Sequence, residues 1–396
     1  AKAAENSKLL FKSLDPSATS EILLRKAGSA DVLLRKVQGQ WRLITPTAAP
    51  ADPNAVGAIL TELASAKRDE IVVDKGADLR DFGLDKPSGE VTFKPATPGA
   101  KAEVLFFGMN DPEGNEAYGM IDGQPAVFLT DLYVKNAVLK SGPDLRDKSV
   151  WSFNADDVQA VRSNIGDFSL GRDKQGFWRV QSGSKNESAK PSAVSGWLDN
   201  LSRLRADSVP SETGIGSFGL KHAKTLVLTL KGGVSLTLKE GAKAKPGPGF
   251  YVQVAGQGPV FQLPEYLRAQ VEEKGSALMD LAAFGFDTTY VTRFEVKRAH
   301  GTLTAVKNKT SGTWAWDPAA PIKPGQKPFD FAGFLSGLAD TQFLKRLSAD
   351  QRPLSPTASV SLYADGGVLL ERADFGARSG PGQIAASSSK RQVVLV

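Results

Sequence analysis

Apolar positions along this chain follow two rhythms. Short runs of period two, separated by Gly, Asn, Asp and Pro, read as β-strands, and three longer stretches carry an i, i+3, i+4, i+7 stripe. The stripes are Val56, Ile59, Leu60, Leu63, then Val194, Trp197, Leu198, Leu201, then Phe331, Phe334, Leu335, Leu338. Each defines one buried face of a helix. A proline precedes each: Pro53, Pro191 and Pro328, separated by 138 and 137 residues. Proline suits the first helical position, where its missing N–H has no partner to lose. Asp52 is placed to cap the first of these helices.

The same spacing recurs outside the helices. Trp41, Trp178 and Trp314 are 137 and 136 residues apart. Phe82-Gly83-Leu84 returns as Phe218-Gly219-Leu220 after 136 residues, and Val127-Phe128, Leu145, Asp147 and Phe153 return as Val260-Phe261, Leu278, Asp280 and Phe286 after 133. A period this long implies copies of domain size. The expected fold class is α+β: three tandem repeats, each an antiparallel sheet (hairpin plus meander) with one main helix and a short second helix. Their expected bounds are 1–152, 153–285 and 286–396, the last incomplete.

Ile22–Arg25 and Val32–Arg35 flank Gly28-Ser29 as a hairpin, and Asp122-Gly123 marks another. Main helices are expected from Pro53 to about Arg68, from Pro191, and over Phe329–Leu347, with second helices over Leu132–Lys140 and Pro264–Glu273. Leu354 and Pro356 answer to Leu84 and Pro87 in the third copy, which stops where the others continue into a second helix. Its last strand, Gln392-Val393-Val394-Leu395-Val396, is therefore expected to be an open edge that a partner strand extends.

Composition narrows the function. The chain has 396 residues and no cysteine, so disulfides, thiol catalysis and thiolate metal sites are excluded. No apolar run reaches the length of a membrane span. The first residue is Ala1, which fits a cleaved signal or a trimmed anchor upstream. The net charge of +6 is spread along the chain without an aromatic-studded basic stripe, so nucleic acid is not an expected partner.

Candidate chemistry is sparse. His222 and His300 have no carboxylate or second histidine at ligand spacing and read as structural. No Gly-x-Ser-x-Gly elbow occurs. Gly214-Ile215-Gly216-Ser217-Phe218-Gly219 matches a dinucleotide glycine pattern but follows a helix and precedes a strand, so it reads as a loop. Asn110–Glu116 gathers oxygen ligands without the terminal bidentate glutamate of a calcium loop and reads as a hairpin turn. Asn186-Glu187-Ser188 and Asn308-Lys309-Thr310 are glycosylation sequons. No catalytic, cofactor or metal residue is assigned. The site residues assigned are the repeated ones, Trp41, Trp178, Trp314, Pro53, Pro191, Pro328, Leu60, Leu198, Leu335, Gly83 and Gly219, together with the final strand.

One run carries a resemblance. Asp81-Phe82-Gly83-Leu84-Asp85-Lys86-Pro87, then Phe107-Gly108, Tyr118, Val127-Phe128-Leu129 and Asp144-Leu145-Arg146-Asp147-Lys148, resembles the bacterial "domain of unknown function 4340" proteins. The resemblance covers most of the chain, best from Trp41 to Trp178. It implies an envelope protein with an N-terminal membrane anchor, associated with gliding-motility-type ABC transporter systems, and brings no catalytic residues with it. The expected protein is a non-catalytic, extracytoplasmic accessory or scaffold subunit. Its partners would be membrane transporter subunits or other envelope proteins, and the membrane itself through an absent anchor. Two alternatives stand beside this: a glycan- or lipid-binding module, which needs exposed aromatics in a cleft, and a hydrolase whose site is assembled from distant residues.

Overall fold

The structure, a computed structural model, describes residues 8–12, 14–97, 99–319, 327–347, 356–380, 382–390 and 394–395. The chain is mixed α and β, with three sheets of mostly antiparallel strands and few helices. It falls into two compact units, Ala1–Gly166 with Ser195–Glu273, and Asp167–Val194 with Lys274–Val396. The stretch 153–285 is divided between them.

The first unit opens with β1 (Thr19–Lys26), β2 (Val32–Val37), β3 (Gln40–Thr45) and β4 (Ala49–Pro50), a meander built on the expected hairpin. Helix α1 (Pro53–Ser65) follows, with Asp52 accepting from the amides of Asn54 at 2.9 Å and Ala55 at 3.3 Å. The helix carries the chain from the β4 edge to the opposite edge, where β5 (Glu70–Val73) lies. Strands β6 (Gly89–Pro95), β7 (Glu103–Asn110), β8 (Glu116–Ile121) and β9 (Val127–Asp131) then fill the space between β1 and β5, giving the order β4-β3-β2-β1-β6-β7-β8-β9-β5. Alternation turns Ile22, Leu24, Leu34, Val91, Phe93, Leu105 and Phe107 inward against Val56, Ile59, Leu60 and Leu63. Short helices α2 (Leu132–Val138) and α3 (Gly142–Leu145) end this part.

The same unit continues with β10 (Val158–Ser163), whereas β11 (Phe168–Arg172), β12 (Trp178–Ser182) and β13 (Lys185–Ser188) belong to the second unit. Helix α4 (Pro191–Ser202) buries Val194, Trp197, Leu198 and Leu201. Strands β14 (Ser208–Ser211), β15 (Lys224–Leu230), β16 (Ser235–Lys243), β17 (Phe250–Val254) and β18 (Val260–Leu263) lie in the first unit, where the order is β10-β15-β16-β17-β18-β14. That is the order of β1-β6-β7-β8-β9-β5. A 3-10 turn at Glu265–Leu267 and α5 (Arg268–Val271) replace the single helix expected over Pro264–Glu273, and α6 (Gly275–Leu278) follows.

The second unit completes the chain with β19 (Arg293–Arg298), β20 (Gly301–Lys307), β21 (Trp314–Asp317), α7 (Phe331–Ala339), β22 (Lys345–Arg346), β23 (Ala358–Tyr363), β24 (Leu369–Gly380), β25 (Gln383–Ser388) and β26 (Val394–Leu395). Its sheet order, β21-β20-β19-β23-β24-β25-β26-β22, again matches the first sheet apart from the β4 position, which falls mostly outside the described residues.

Three expectations need correction here. Helix α7 starts at Phe331, so Pro328 lies ahead of it and the cap is Asp330, whose carboxylate accepts from the Gly333 amide at 2.8 Å. The helix ends at Ala339 and α1 ends at Ser65, both short of the expected Leu347 and Arg68, because the backbone beyond each is engaged in strand-like pairing. Leu10 N–H donates to the Ala66 carbonyl at 2.8 Å and Arg68 N–H to the Lys8 carbonyl at 2.9 Å, while Ala283 N–H donates to Thr341 at 2.8 Å and Phe343 N–H to Leu281 at 2.9 Å. The third correction is the final strand. Val394 and Leu395 are paired with Ala386 and Ala385 on one side and with Arg346 and Lys345 on the other. The edge is β22, a strand the sequence pattern did not announce, and the open-edge docking site on β26 is withdrawn. Gln392, Val393 and Val396 lie outside the described residues, as does Leu354.

The repeated Phe-Gly-Leu now has a cause. Gly83 has φ +65° and Gly219 φ +76°, a left-handed backbone that L side chains rarely adopt. Each turn presses on a strand glycine: a Cβ on Gly108 would come within 2.1 Å of the Phe82 carbonyl oxygen, and one on Gly241 within 2.3 Å of that of Phe218. The motif therefore needs two glycines far apart in sequence, at the turn and at the strand it crosses.

Candidate functional site

The segment after α3 acts as a strap. Along one side Asp52 N–H donates to the Leu145 carbonyl at 2.8 Å and Asp147 N–H to Pro50 at 3.0 Å; along the other, Val150 N–H donates to Leu204 at 3.0 Å and Ala206 N–H to Lys148 at 2.9 Å. It is thus laced to the β4 edge and to the lead-in of β14. The pattern recurs in the second unit, where Lys190 N–H donates to Leu278 at 2.9 Å and Asp280 N–H to Ser188 at 2.7 Å, with the Leu281–Ala283 pairs on the other side. Trp151 and Phe284 follow the two straps, Phe11 follows the Lys8–Leu10 segment that pairs with Ala66 and Arg68, and all three are buried. Trp151 also donates its indole N–H to the Leu201 carbonyl at 2.6 Å.

The first strap lines a cleft of about 450 Å³, whose walls include Pro46, Pro143, Arg146, Lys148, Asp207 and Glu212. A neighbouring depression of about 380 Å³ shares Arg146 and Glu212 with it. The Arg146 side chain is 8 % exposed and meets Glu212 in a two-pronged pair, Nε to Oε1 at 2.8 Å and Nη2 to Oε2 at 3.1 Å; Nη1 donates to the Asp147 carbonyl. Arg205 pairs with Asp52, the carboxylate that caps α1, and stands 3.9 Å from Asp147. Burial pushes the Asp52 carboxyl up, but Arg205 and the amides of Asn54 and Ala55 outweigh it and hold the group below its ordinary value. Arg146 and Arg205 each have a carboxylate, so these two pairs clasp backbone segments together.

A second charged cluster lies around Arg268. Its guanidinium reaches Glu240 at 3.1 Å, Glu272 at 3.1 Å and Glu265 at 2.5 Å, and stacks over Phe250 with 4.3 Å to the ring centroid. Burial, then the neighbouring Glu272 carboxyl, push Glu240 up to about 7. In the unfolded chain a glutamate titrates near 4.3, so the folded state binds a proton more tightly. The stability this contributes is complete below the unfolded value and is lost as pH rises through about 7. Glu240→Gln, which keeps an acceptor for Arg268 and never ionises, should gain about 1–3 kcal/mol over wild type at pH 8 and nothing at pH 4. Urea midpoints across that range check this, and parallel profiles for the two proteins would refute it.

The assigned residues do not converge on a reaction centre. Trp41, Trp178 and Trp314 are half-buried; Lys36 lies over the first at 5.2 Å, Arg172 over the second at 4.2 Å, and the third is stacked on Phe331. Pro53 and Pro191 open their helices, and Leu60, Leu198 and Leu335 are buried. His222 and His300 are exposed. The Asp111 carboxylate accepts from the amides of Glu113 and Glu116, which makes Asn110–Glu116 a turn between β7 and β8. Gly214–Gly219 is a loop between β14 and β15. Among the described residues no group of three His, Asp or Glu side chains is placed to hold a metal, and no helix is long and apolar enough to cross a membrane.

The residues that build the cleft were legible only in part. Asp144–Lys148 stood out as a motif, but nothing marked Glu212, which is 66 residues from Arg146. A family profile matches this chain twice, at residues 41–190 and 178–357. The chain belongs to the DUF4340 family, a domain of unknown function. Both DUF4340 matches begin on a repeated tryptophan, Trp41 or Trp178, and the first contains the whole first strap. No curated protein matches the chain.

Proposed function

We propose that this DUF4340 protein is a non-catalytic, extracytoplasmic scaffold, built of three copies of one α+β unit, that holds subunits of an ABC-transporter-type envelope assembly through protein–protein contacts. The observation that carries the reading is the strap. The same backbone pairs recur at Leu145–Val150 and at Leu278–Ala283, so each copy is laced to the one after it. Such serial lacing multiplies surface without new folds, which suits holding partners at fixed spacing. The paired state of Arg146, Glu212, Arg205 and Asp52 supports the non-catalytic part. On this reading 9–152, 153–285 and 286–396 superpose on their cores, and the surface is what partners meet.

The test is affinity capture of the whole chain from cell envelopes after in-situ cross-linking. The expected result is recovery of integral-membrane transporter subunits, with cross-links to exposed side chains of this chain. A purified chain that turns over a glycan, peptide or ester, and loses that activity on His222→Ala or His300→Ala, would overturn the reading.

A further inference from the structure

We infer that the depression between α1 and α2 is a binding groove for a neutral oligosaccharide. It has a volume of about 930 Å³, within the range of small-molecule sites, and it lies wholly within the first unit. Trp41 of β3 and Tyr133 of α2 both line it. Tyr133 is 66 % exposed, and its counterpart 133 residues on, Tyr266, is 79 % exposed. Packing explains why Trp and Leu recur at matched places; it does not explain a recurring tyrosine that faces solvent. A large ring in water is the expected platform for the apolar face of a pyranose, and its hydroxyl is a polar handle.

The rest of the lining selects among ligands. Asn54, Glu62, Asn136 and Lys140 bring amides and one charge of each sign, and among the described residues none of these side chains is held in a hydrogen bond or ion pair. They offer donors and acceptors suited to hydroxyl groups and no net charge to favour an ionic ligand. A groove for an amphipathic helix needs exposed aliphatic anchors, and here the one lining side chain that is both large and apolar in the open is Tyr133, since Leu60 is buried. Space is kept by Gly57 and Ala58 on α1; a Cβ built on Gly57 meets no atom within 4 Å. This site is separate from the scaffold contacts proposed above, and either stands without the other.

The experiment is titration of the purified chain with cellohexaose, chitohexaose and maltohexaose, followed by calorimetry and tryptophan fluorescence. Saturable binding of at least one sugar is expected, with a dissociation constant on the order of 0.01–1 mM. Tyr133→Ala should weaken it about tenfold through loss of the stacking face. Gly57→Arg, which fills the groove from a position with room for a side chain and removes a helix-interior glycine, should abolish it while leaving the melting temperature unchanged or raised. Tyr266→Ala should leave it intact. No response to any of the three sugars at about 10 mM, or equal affinity in the Gly57→Arg variant, overturns the assignment. So does protection of Tyr133 by a bound polypeptide in place of sugar.

Discussion

Arg146→Ala should destabilise the first unit by about 3–5 kcal/mol. The guanidinium is 8 % exposed and Glu212 is 23 % exposed, so the substitution leaves a largely desolvated carboxylate without its cation. It also removes the donor to the Asp147 carbonyl on the strap. The loss of an uncompensated pair differs from the replacement of the pair as a whole, and the chain itself supplies the comparison. In the second strap the position of Arg146 is taken by Met279, buried at 6 % exposure, and the flanking backbone pairs are intact. Arg146→Met combined with Glu212→Gln should therefore recover more than half of what Arg146→Ala loses, because it removes both charges and keeps the volume. Urea denaturation of wild type, Arg146→Met, Glu212→Gln and the double variant closes a cycle that gives the coupling, with Arg146→Ala measured beside it. A penalty under about 1 kcal/mol for Arg146→Ala would mean that the pair behaves like an exposed ion pair, and the clasp would then have no energetic basis.

The parts of this fold that were legible in sequence are those whose signal is local. Asp52-Pro53 and the Val56–Leu63 stripe specify α1 because cap, first-turn proline and buried face all lie within one short window. The meander strands were legible for the same reason, through alternation and turn residues. The short edge strands β5, β14 and β22 were not. They hold two to four residues, and what defines them is a partner strand more than 45 residues away, such as Ile71 opposite Phe128 or Lys345 opposite Leu395. The overlong third helix has the same origin: Thr341–Phe343 pair with Leu281–Ala283, a contact that no local pattern announces, and the helix ends at Ala339 ahead of it. Of the cleft, Arg146 belonged to a visible motif, but its ion pair depends on the placement of β14. Of the groove, Trp41 was visible as a repeat landmark. Tyr133 was not, because a single sequence does not separate a recurring exposed aromatic from a recurring buried one.

Leu198→Ala should cost about 2–5 kcal/mol. The side chain is 2 % exposed on α4, in the same stripe position as Leu60 at 2 % and Leu335 at 3 %. Its neighbours on the stripe, Val194 and Leu201, are fully buried, and Trp197 is fixed by an indole N–H donated to the Gln270 carbonyl at 2.8 Å. That anchoring limits how far the helix can slide to close the cavity, which places the expected cost in the upper part of the range, since the penalty grows with the volume left unfilled. Leu198→Met, which conserves volume with a more adaptable chain, should cost less than about 1.5 kcal/mol. Asn200→Ala, on the exposed side of the same helix, should stay within about 0.5 kcal/mol of wild type. The ranking Ala far below Met, with Asn200→Ala near wild type, is what a buried stripe dictates, and chemical denaturation followed by circular dichroism reads it. Equal midpoints for Leu198→Ala and Asn200→Ala would place Leu198 outside the core and remove the helix-face argument from which the repeat was first read.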